Sequence, residues 1–147
     1  MKIAAGILMY RFKPDLQVFL VHPGGPFWKN KDLGSWSIPK GEIKENEELV
    51  VAAVREFQEE TGIVATIDNV GYLGEIVQRS GKKVYAWSFE NDFNGTIVSN
   101  FVESPEFAKF GRFPEVDKGE YFSVEEAKKK IMAAQILLIE KLEAKIK

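Results

Sequence analysis

Apolar residues in this chain form short runs separated by turn-forming residues, a pattern that is typical of β-strands. The first two runs cover residues 2–12 and 17–22. Between them lies Lys13-Pro14-Asp15, whose residues favour a turn. The start of the chain therefore predicts two paired strands.

Similar runs later in the chain predict further strands. Those at residues 70–78 and 82–89 flank Arg79-Ser80-Gly81, which suits the turn of a hairpin. The remaining predicted strands cover residues 36–39, 64–68 and 96–102, with a last short strand ending near Phe122.

Two segments instead favour helices. The first predicted helix covers about residues 47–60 and is followed by Gly62, which suits the left-handed position after a helix end. The second begins at Ser123, which forms a capping-box pattern with Glu126. An apolar stripe at helical spacing is predicted to pack this second helix on the core. The stripe consists of Ala127, Ile131, Ala134, Leu138 and Leu142.

The order of these elements is strands, a helix, more strands and a final helix. That order predicts an α/β fold, an α/β/α sandwich with a mixed sheet. The length of 147 residues suits one domain, so a single domain is expected over residues 1–147. The proportions of 45% hydrophobic and 29% charged residues favour a soluble globular protein.

Charge and cysteine content exclude several kinds of protein. The chain has no cysteine, which excludes disulfides and thiolate sites and fits a reducing cytoplasm. Its net charge of −2 gives no general attraction to nucleic acid or to anionic membranes. Residues 1–10 are too short to span a membrane and lack a small-residue cleavage site, so no targeting segment is expected.

A long segment rich in Gly and Pro, residues 23–34, predicts a surface loop. Loops of this length without secondary structure are often functional. The only histidine, His22, comes directly before it. Because no second residue suggests a metal pair or catalytic dyad with it, His22 is expected to have a polar role at the edge of the loop.

Three glutamates crowd one side of the first predicted helix. At about 100° per residue, Glu56, Glu59 and Glu60 fall within an arc of roughly 100°. Such like charges destabilise an isolated helix, and no Lys or Arg follows at the spacing that would neutralise them. A hard divalent cation such as Mg²⁺ would remove the repulsion. The alternative is a solvated acidic face, the commoner explanation of a Glu-rich helix.

The wider pattern decides between these interpretations. Residues 41–63 match G-x5-E-x7-R-E-U-x-E-E-x-G-U, where U is a bulky apolar residue. Its fixed positions hold Gly41, Glu47, Arg55, Glu56, Phe57, Glu59, Glu60, Gly62 and Ile63. This pattern is the Nudix box, and the chain therefore resembles the Nudix hydrolases. Within that family, the sequence WSIPKG at residues 36–41 is most similar to diadenosine polyphosphate hydrolases and nucleoside triphosphate pyrophosphohydrolases.

The resemblance implies the same sandwich fold and a hydrolase that uses Mg²⁺, with Mn²⁺ as an alternative ion. Its expected reaction is attack of water on phosphorus in a nucleoside diphosphate-linked substrate, either a dinucleoside polyphosphate or a nucleoside triphosphate. Glu56, Glu59 and Glu60 are expected to bind the metal, and one of them or a later glutamate to activate the water. The backbone carbonyl of Gly41 is a further expected ligand.

Other expected site residues also follow from the resemblance. Arg55 would pair with box carboxylates and orient them, and Glu47 is its candidate partner. Lys40 would contact the substrate phosphates, with plain exposure as the alternative.

Residues beyond the box complete the expected site. An additional acidic ligand is common in the family, and Glu103 and Glu115 are the candidates; for each, a solvated surface carboxylate is the alternative. Lys83 and Tyr85 resemble positions that bind phosphate and base in dinucleoside tetraphosphate hydrolases, although Tyr85 also suits packing on the sheet.

Alternative functions remain. A Nudix-like regulatory domain would bind a nucleotide without cleaving it, but such domains usually lose box glutamates that this chain keeps. Oxidised nucleotides, nucleotide sugars and the triphosphate end of RNA are other candidate substrates. The acidic balance and the lack of a basic stripe disfavour RNA. We therefore expect a small-molecule nucleotide as partner, with neither nucleic acid nor a membrane, and leave monomer or homodimer open.

Overall fold

The computed structural model describes residues 2–102 and 112–146. Within these residues the chain forms eight strands and three α-helices. The strands are β1 (Ile3–Phe12), β2 (Leu16–Pro23), β3 (Lys40–Glu42), β4 (Gly71–Val77), β5 (Lys83–Glu90), β6 (Phe101–Val102), β7 (Phe113–Pro114) and β8 (Val116–Ser123). The helices are α1 (Leu49–Thr61), α2 (Val124–Lys130) and α3 (Ile136–Lys145).

Six of the strands form one mixed sheet. Five of them lie in the order β4-β5-β1-β2-β8, and β3 pairs with the start of β1 on the same side as β2. The β1–β5 pair is parallel and the other pairs are antiparallel. The predicted pairing of the first two strands and the hairpin between β4 and β5 are both confirmed.

Helices cover both faces of this sheet because side chains alternate along the central strand β1. Ala5, Ile7 and Met9 share one buried cluster with Phe57 of α1. Ala4 and Leu8 point the other way and share a second cluster with apolar residues of α2 and α3. The predicted α/β/α sandwich with a mixed sheet is therefore confirmed.

The first predicted helix is close to its expected position. Helix α1 begins at Leu49, two residues later than predicted, and ends at Thr61. Gly62 follows it with a φ of 78°, in the left-handed region, and its amide donates to the carbonyl of Gln58. Glycine adopts this conformation without the strain that a Cβ would introduce.

The final helix is broken where the sequence predicts a continuous one. Ser123 caps α2 as expected, since its hydroxyl accepts from the Glu126 amide at 3.2 Å. Ile131 then adopts an extended conformation. The reason is that Trp36 binds both sides of the break, donating to the Lys130 carbonyl and accepting from the Met132 amide. The stripe itself is buried, apart from Ala134, which is half-buried.

Three predicted strands differ from the structure. Residues 36–39 make only isolated bridges, through Trp36 and Ser37, and the regular strand begins one residue later, at Lys40. Residues 64–68 form no strand. Val64 and Ile67 are mostly exposed because this segment gains no strand partner, and Ile67–Asn69 forms a single 3₁₀ turn. Of residues 96–102, only Phe101–Val102 is a strand.

None of the helices in the described ranges is long and apolar enough to cross a membrane.

Candidate active site

The contact between β3 and α1 brings the first box residues together. Gly41 lies on β3 directly against the Glu56 side chain, and a Cβ at position 41 would overlap the Glu56 carboxylate. A larger residue at position 41 would therefore displace the Glu56 carboxylate from its present position.

Three carboxylates lie close together near the contact between β3 and α1. Oxygen atoms of Glu56, Glu60 and Glu115 all lie within 4.8 Å of one another, and we call these three residues the acidic cluster. Glu56 and Glu60 are one turn apart on α1, whereas Glu115 lies between β7 and β8. The structure thus brings Glu115 to the box glutamates. The other candidate, Glu103, lies outside the described residues.

Asn100 connects Glu115 to the end of α1. Its amide nitrogen donates to the Glu59 carbonyl at 2.7 Å, and its carbonyl accepts from the Glu115 amide at 2.9 Å. Its side chain also donates to Glu115 Oε1 at 3.0 Å. The segment that carries Glu115 is therefore fixed against the helix by hydrogen bonds, independently of any bound ion.

The acidic cluster carries negative charge that the protein leaves partly unpaired. Burial raises the pKa of Glu60 well above its usual value, and the charges of Glu115 and Glu56 raise it further. Burial also raises the pKa of Glu56, against the opposing effect of Arg55. In the described part of the chain, Glu60 Oε2 is the one buried side-chain oxygen or nitrogen without a hydrogen-bond partner.

Such a cluster suits a hard divalent cation. Mg²⁺ is held by oxygen ligands, usually carboxylates together with phosphates of the substrate. A cation would also compensate the buried carboxylates, which are otherwise costly to ionise. The donor atoms and the unpartnered Glu60 oxygen therefore fit the ion that the sequence predicts.

Arg55 forms hydrogen bonds with the carboxylates of Glu47 and Glu56. Its Nε and Nη2 donate to the two oxygens of Glu47 at 2.7 and 2.9 Å, and its Nη1 donates to Glu56 at 2.8 Å. The pairing with Glu47 agrees with the sequence-based expectation. These bonds lower the pKa of Glu47 to about 2 and raise that of Arg55.

Glu59 lies apart from the acidic cluster. Its carboxylate accepts from Arg55 Nη1 at 3.1 Å, and 38% of its side chain is exposed. The sequence predicted that Glu56, Glu59 and Glu60 would act together at a metal. In the structure Glu56 and Glu60 adjoin Glu115, while Glu59 contacts Arg55, which also donates to Glu56. The role of Glu59 as a ligand stays a prediction.

A cavity of about 230 Å³ opens beside the acidic cluster. Its charged lining residues are Lys40, Glu60 and Glu115, and its apolar ones include Trp28 and Met132. The other lining residues are Val21, Pro23, Ser35, Ser37, Ile38 and Val116. Burial and the nearby Lys82 lower the pKa of Lys40, although the three cluster glutamates oppose this shift.

Lys83 and Tyr85 lie elsewhere on the sheet. Ala5 of β1 pairs with Gly41 on one side and with Tyr85 on the other, so Tyr85 is two strands away from β3. Lys83 contacts the Tyr85 ring, at 5.2 Å from its centroid, and Glu75 at 3.3 Å. Neither residue lines the cavity. Their predicted contact with substrate stays a prediction.

Sequence reasoning did not identify Trp28 and Met132 as parts of the site. The length of the 23–34 loop was a signal for Trp28, because long irregular loops are often functional. No comparable signal existed for Met132, which reaches the cavity through the break between α2 and α3.

His22 is almost fully buried at the start of this loop. Its Nδ1 lies 2.8 Å from Asp117 Oδ1, and its Nε2 lies 2.6 Å from the Lys31 carbonyl. The ring therefore joins the 23–34 loop to β8, which agrees with the polar role expected at the loop edge.

Comparison with known proteins identifies the family. The sequence profile of the NUDIX domain matches residues 1–142. The chain therefore belongs to the NUDIX family, and the Nudix hydrolase class inferred from the box is confirmed at the family level.

Individual relatives match over shorter stretches or at low identity. An RNA pyrophosphohydrolase of Caulobacter vibrioides is 38% identical over 58 residues, which are 36% of this chain. The chain covers only 34% of the length of that relative.

Two solved structures share the fold over nearly the whole chain. One is an Ap4A hydrolase binary complex from C. elegans, with a TM-score of 0.67 at 20% identity over 97% of both chains. The other is the NUDIX domain of Shewanella oneidensis NrtR complexed with ADP ribose, with a TM-score of 0.70 at 17% identity. That match covers 99% of this chain and 88% of the other.

Proposed function

We propose that this protein is a divalent-metal-dependent hydrolase of a phosphoanhydride bond in a nucleoside diphosphate-linked substrate, with water attacking phosphorus. A dinucleoside polyphosphate or a nucleoside triphosphate is the proposed substrate class. Mg²⁺ is the proposed ion and Mn²⁺ an alternative. The cytoplasm is the proposed compartment, and a small-molecule nucleotide rather than nucleic acid or a membrane is the proposed partner.

The acidic cluster is the observation that carries this proposal. Glu56, Glu60 and Glu115 bring three carboxylates together, and one oxygen of Glu60 is buried without a partner. A fold without a ligand gains nothing from this arrangement, because buried carboxylates that repel one another are costly to ionise. The cluster also adjoins a cavity, so a substrate can reach it.

Each residue of the site has a proposed part in the reaction. Glu56, Glu60 and Glu115 would hold the metal, and one cluster glutamate would accept the proton of the attacking water. The bound ion would supply neutralisation of phosphate charge. Arg55 positions Glu56 through the bond at 2.8 Å. The ammonium of Lys40, which lines the cavity, would bind a phosphate oxygen.

The names of two similar proteins support a phosphoanhydride-containing substrate. The C. elegans relative is an Ap4A hydrolase, and the Caulobacter relative is an RNA pyrophosphohydrolase. We favour the dinucleoside polyphosphate or nucleoside triphosphate because the net charge of −2 gives no general attraction to RNA. RNA with a 5′-triphosphate is therefore an outcome of the test rather than the leading proposal.

A product-resolved activity panel with Mg²⁺ tests this function. The substrates are diadenosine tetraphosphate, the common nucleoside triphosphates, an oxidised guanine triphosphate, ADP-ribose, a nucleotide sugar and 5′-triphosphorylated RNA. We expect diadenosine tetraphosphate or a nucleoside triphosphate to be cleaved fastest, with the activity lost on chelation and strongly reduced in Glu59→Gln and Glu60→Gln. Hydrolysis in ¹⁸O-labelled water then identifies the attacked phosphorus.

Two results would contradict the proposal. A folded wild-type protein that binds nucleotide but releases no product would be a regulatory binding domain. Turnover that is unchanged by chelation or by Glu60→Gln would remove the metal site from the mechanism.

A further inference from the structure

The cavity beside the acidic cluster has a mostly apolar lining, and part of that lining comes from two distant parts of the chain. Trp28 belongs to the 23–34 loop, and Met132 lies in the break between α2 and α3. Pro23 at the end of β2 also lines the cavity. The cavity thus combines charged side chains, suited to phosphates, with apolar side chains, suited to a flat ring.

The loop that carries Trp28 is fixed by contacts with the rest of the protein. His22 binds the Lys31 carbonyl at 2.6 Å. Asp32 accepts from the Trp36 indole at 2.8 Å and from the Lys130 ammonium at 2.5 Å. The loop is therefore ordered before any substrate binds, which lowers the entropic cost of binding.

The polar side chains of the cavity wall already have partners inside the protein. The Ser35 hydroxyl donates to the Asp32 carbonyl at 2.5 Å. The Ser37 hydroxyl accepts from the buried side chain of Gln135 at 3.0 Å and donates to the Ile38 carbonyl. The hydrogens of both hydroxyls are therefore already used, and neither serine has a free donor for the edge of a base. The apolar side chains of the lining instead favour contact with the face of a ring.

The volume limits how much of a substrate enters. Sites for whole drug-sized ligands measure about 300–1,000 Å³, whereas this cavity measures about 230 Å³. One end of a dinucleotide fits such a volume better than the complete molecule does. The remainder of the substrate would then extend past Lys40 and the acidic cluster.

We propose that Trp28 is a specificity-determining residue, whose indole stacks on the nucleobase at one end of the substrate. This inference rests on the proposed function, since it takes the acidic cluster as the position of the phosphates. Stacking on an aromatic side chain is worth about 1–3 kcal/mol per base and tolerates different bases, because every base has a π-face. The site therefore selects substrates that carry a base and discriminates weakly among the bases.

The test compares substrates with and without a base in four proteins. Wild type, Trp28→Ala, Trp28→Phe and Leu33→Ala are assayed with ATP, GTP and CTP and with inorganic tripolyphosphate. Leu33 is the matched control, because it belongs to the same loop, is 71% exposed and does not line the cavity. Trp28→Phe keeps an aromatic ring. The same proteins are titrated by calorimetry with an ATP analogue whose bridging oxygen is replaced by methylene.

We expect Trp28→Ala to raise KM for all three nucleotides by about 5- to 150-fold, the range that stacking supplies. Its kcat should stay close to that of wild type, and tripolyphosphate kinetics should not change. Trp28→Phe should recover most of the affinity, and Leu33→Ala should match wild type.

Equal losses for nucleotides and tripolyphosphate in Trp28→Ala would overturn the inference, because the residue would then only support the loop. An unchanged nucleotide affinity in Trp28→Ala would overturn it as well. If tripolyphosphate is not cleaved even by wild type, its binding is compared by calorimetry in the same four proteins.

The inference and the proposed function fail in different ways. Nucleotide cleavage that is insensitive to Trp28→Ala leaves the hydrolase intact and removes the stacking role. Nucleotide binding without cleavage, when it is weakened by Trp28→Ala, removes the hydrolase and retains the stacking role.

Discussion

Glu47 and Glu60 are two glutamates with little exposed surface near opposite ends of helix α1. Their surroundings shift their pKa values in opposite directions. Both oxygens of Glu47 accept from Arg55, at 2.7 and 2.9 Å, and its pKa is lowered to about 2. One oxygen of Glu60 has no partner, and burial among other carboxylates raises its pKa well above the usual value.

The difference separates a structural carboxylate from a functional one. Glu47 is ionised at neutral pH with its charge already compensated, so it stabilises the fold. Glu60 has one buried oxygen without a hydrogen-bond partner, and burial and neighbouring carboxylates oppose its ionisation, which marks a position where a cation would bind. Both residues are fixed glutamates of the same box, so the motif alone does not distinguish them.

Neutralising Glu60 should have the largest effect on activity. We expect Glu60→Gln to lower turnover by about 10²–10³-fold, the range seen when one charge-stabilising group is removed from an active site. Without metal and at pH values above about 4.5, the variant should be at least as stable as wild type. The reason is that an acid whose pKa is raised in the folded state destabilises the fold as pH increases, and Gln removes this effect. Steady-state kinetics and thermal unfolding with and without Mg²⁺ measure both effects.

Glu48→Gln serves as the control for this comparison. Glu48 precedes the same helix, is exposed and makes no capping hydrogen bond. It should match wild type in both assays. If Mg²⁺ raises the melting temperature of Glu60→Gln as much as that of wild type, Glu60 is not part of the metal site.

Removing Arg55 should affect Glu47 and also Glu56, the neighbour of Glu60 in the acidic cluster. Arg55→Ala leaves Glu47 and Glu56 without their main partner, and we expect it to reduce the free energy of unfolding by about 2–3 kcal/mol. Activity should fall as well, because Glu56 loses the bond that positions it. Denaturant unfolding and kcat/KM measure these changes, with the exposed Arg79→Ala as the control. A variant with wild-type stability would show that the arginine pairs contribute little.

A smaller, pH-dependent effect should follow from replacing Glu47. Its lowered pKa means that the ionised carboxylate stabilises the fold above about pH 4.5, and that this contribution disappears as pH falls through about 2. We expect Glu47→Gln to cost about 1–2 kcal/mol at neutral pH, allowing for solvent screening. The difference from wild type should shrink on acidification in urea unfolding experiments. A difference that is constant between pH 7 and pH 2.5 would argue against the ion pair.

The sequence predicted the sandwich because its strands and helices have strong local patterns. The box was equally informative, since Arg55, Glu56, Glu59 and Glu60 lie within two turns of one helix. The expected pairing of Arg55 with Glu47 was also found. The single domain over residues 1–147 stays a prediction.

The errors lie where tertiary contacts override local preference. Residues 64–68 have a strand-like composition but find no neighbouring strand, so they remain irregular with one 3₁₀ turn. The last helix has a continuous apolar stripe, yet it breaks at Ile131 because the backbone of Trp36 pairs with both sides of the break. In both cases the outcome depends on a segment that is remote in sequence.

The amino-acid sequence by itself determined the box helix, its carboxylates and the left-handed glycine that ends it, because each depends on spacing within a few turns. Only the tertiary structure decided that Glu115 joins Glu56 and Glu60, that Glu59 contacts Arg55, and that Trp28 and Met132 share one cavity. These contacts join residues that are far apart along the chain. Their proximity is set by strand pairing, by the break after α2 and by the hydrogen bonds of Asn100, none of which is encoded in a local repeat.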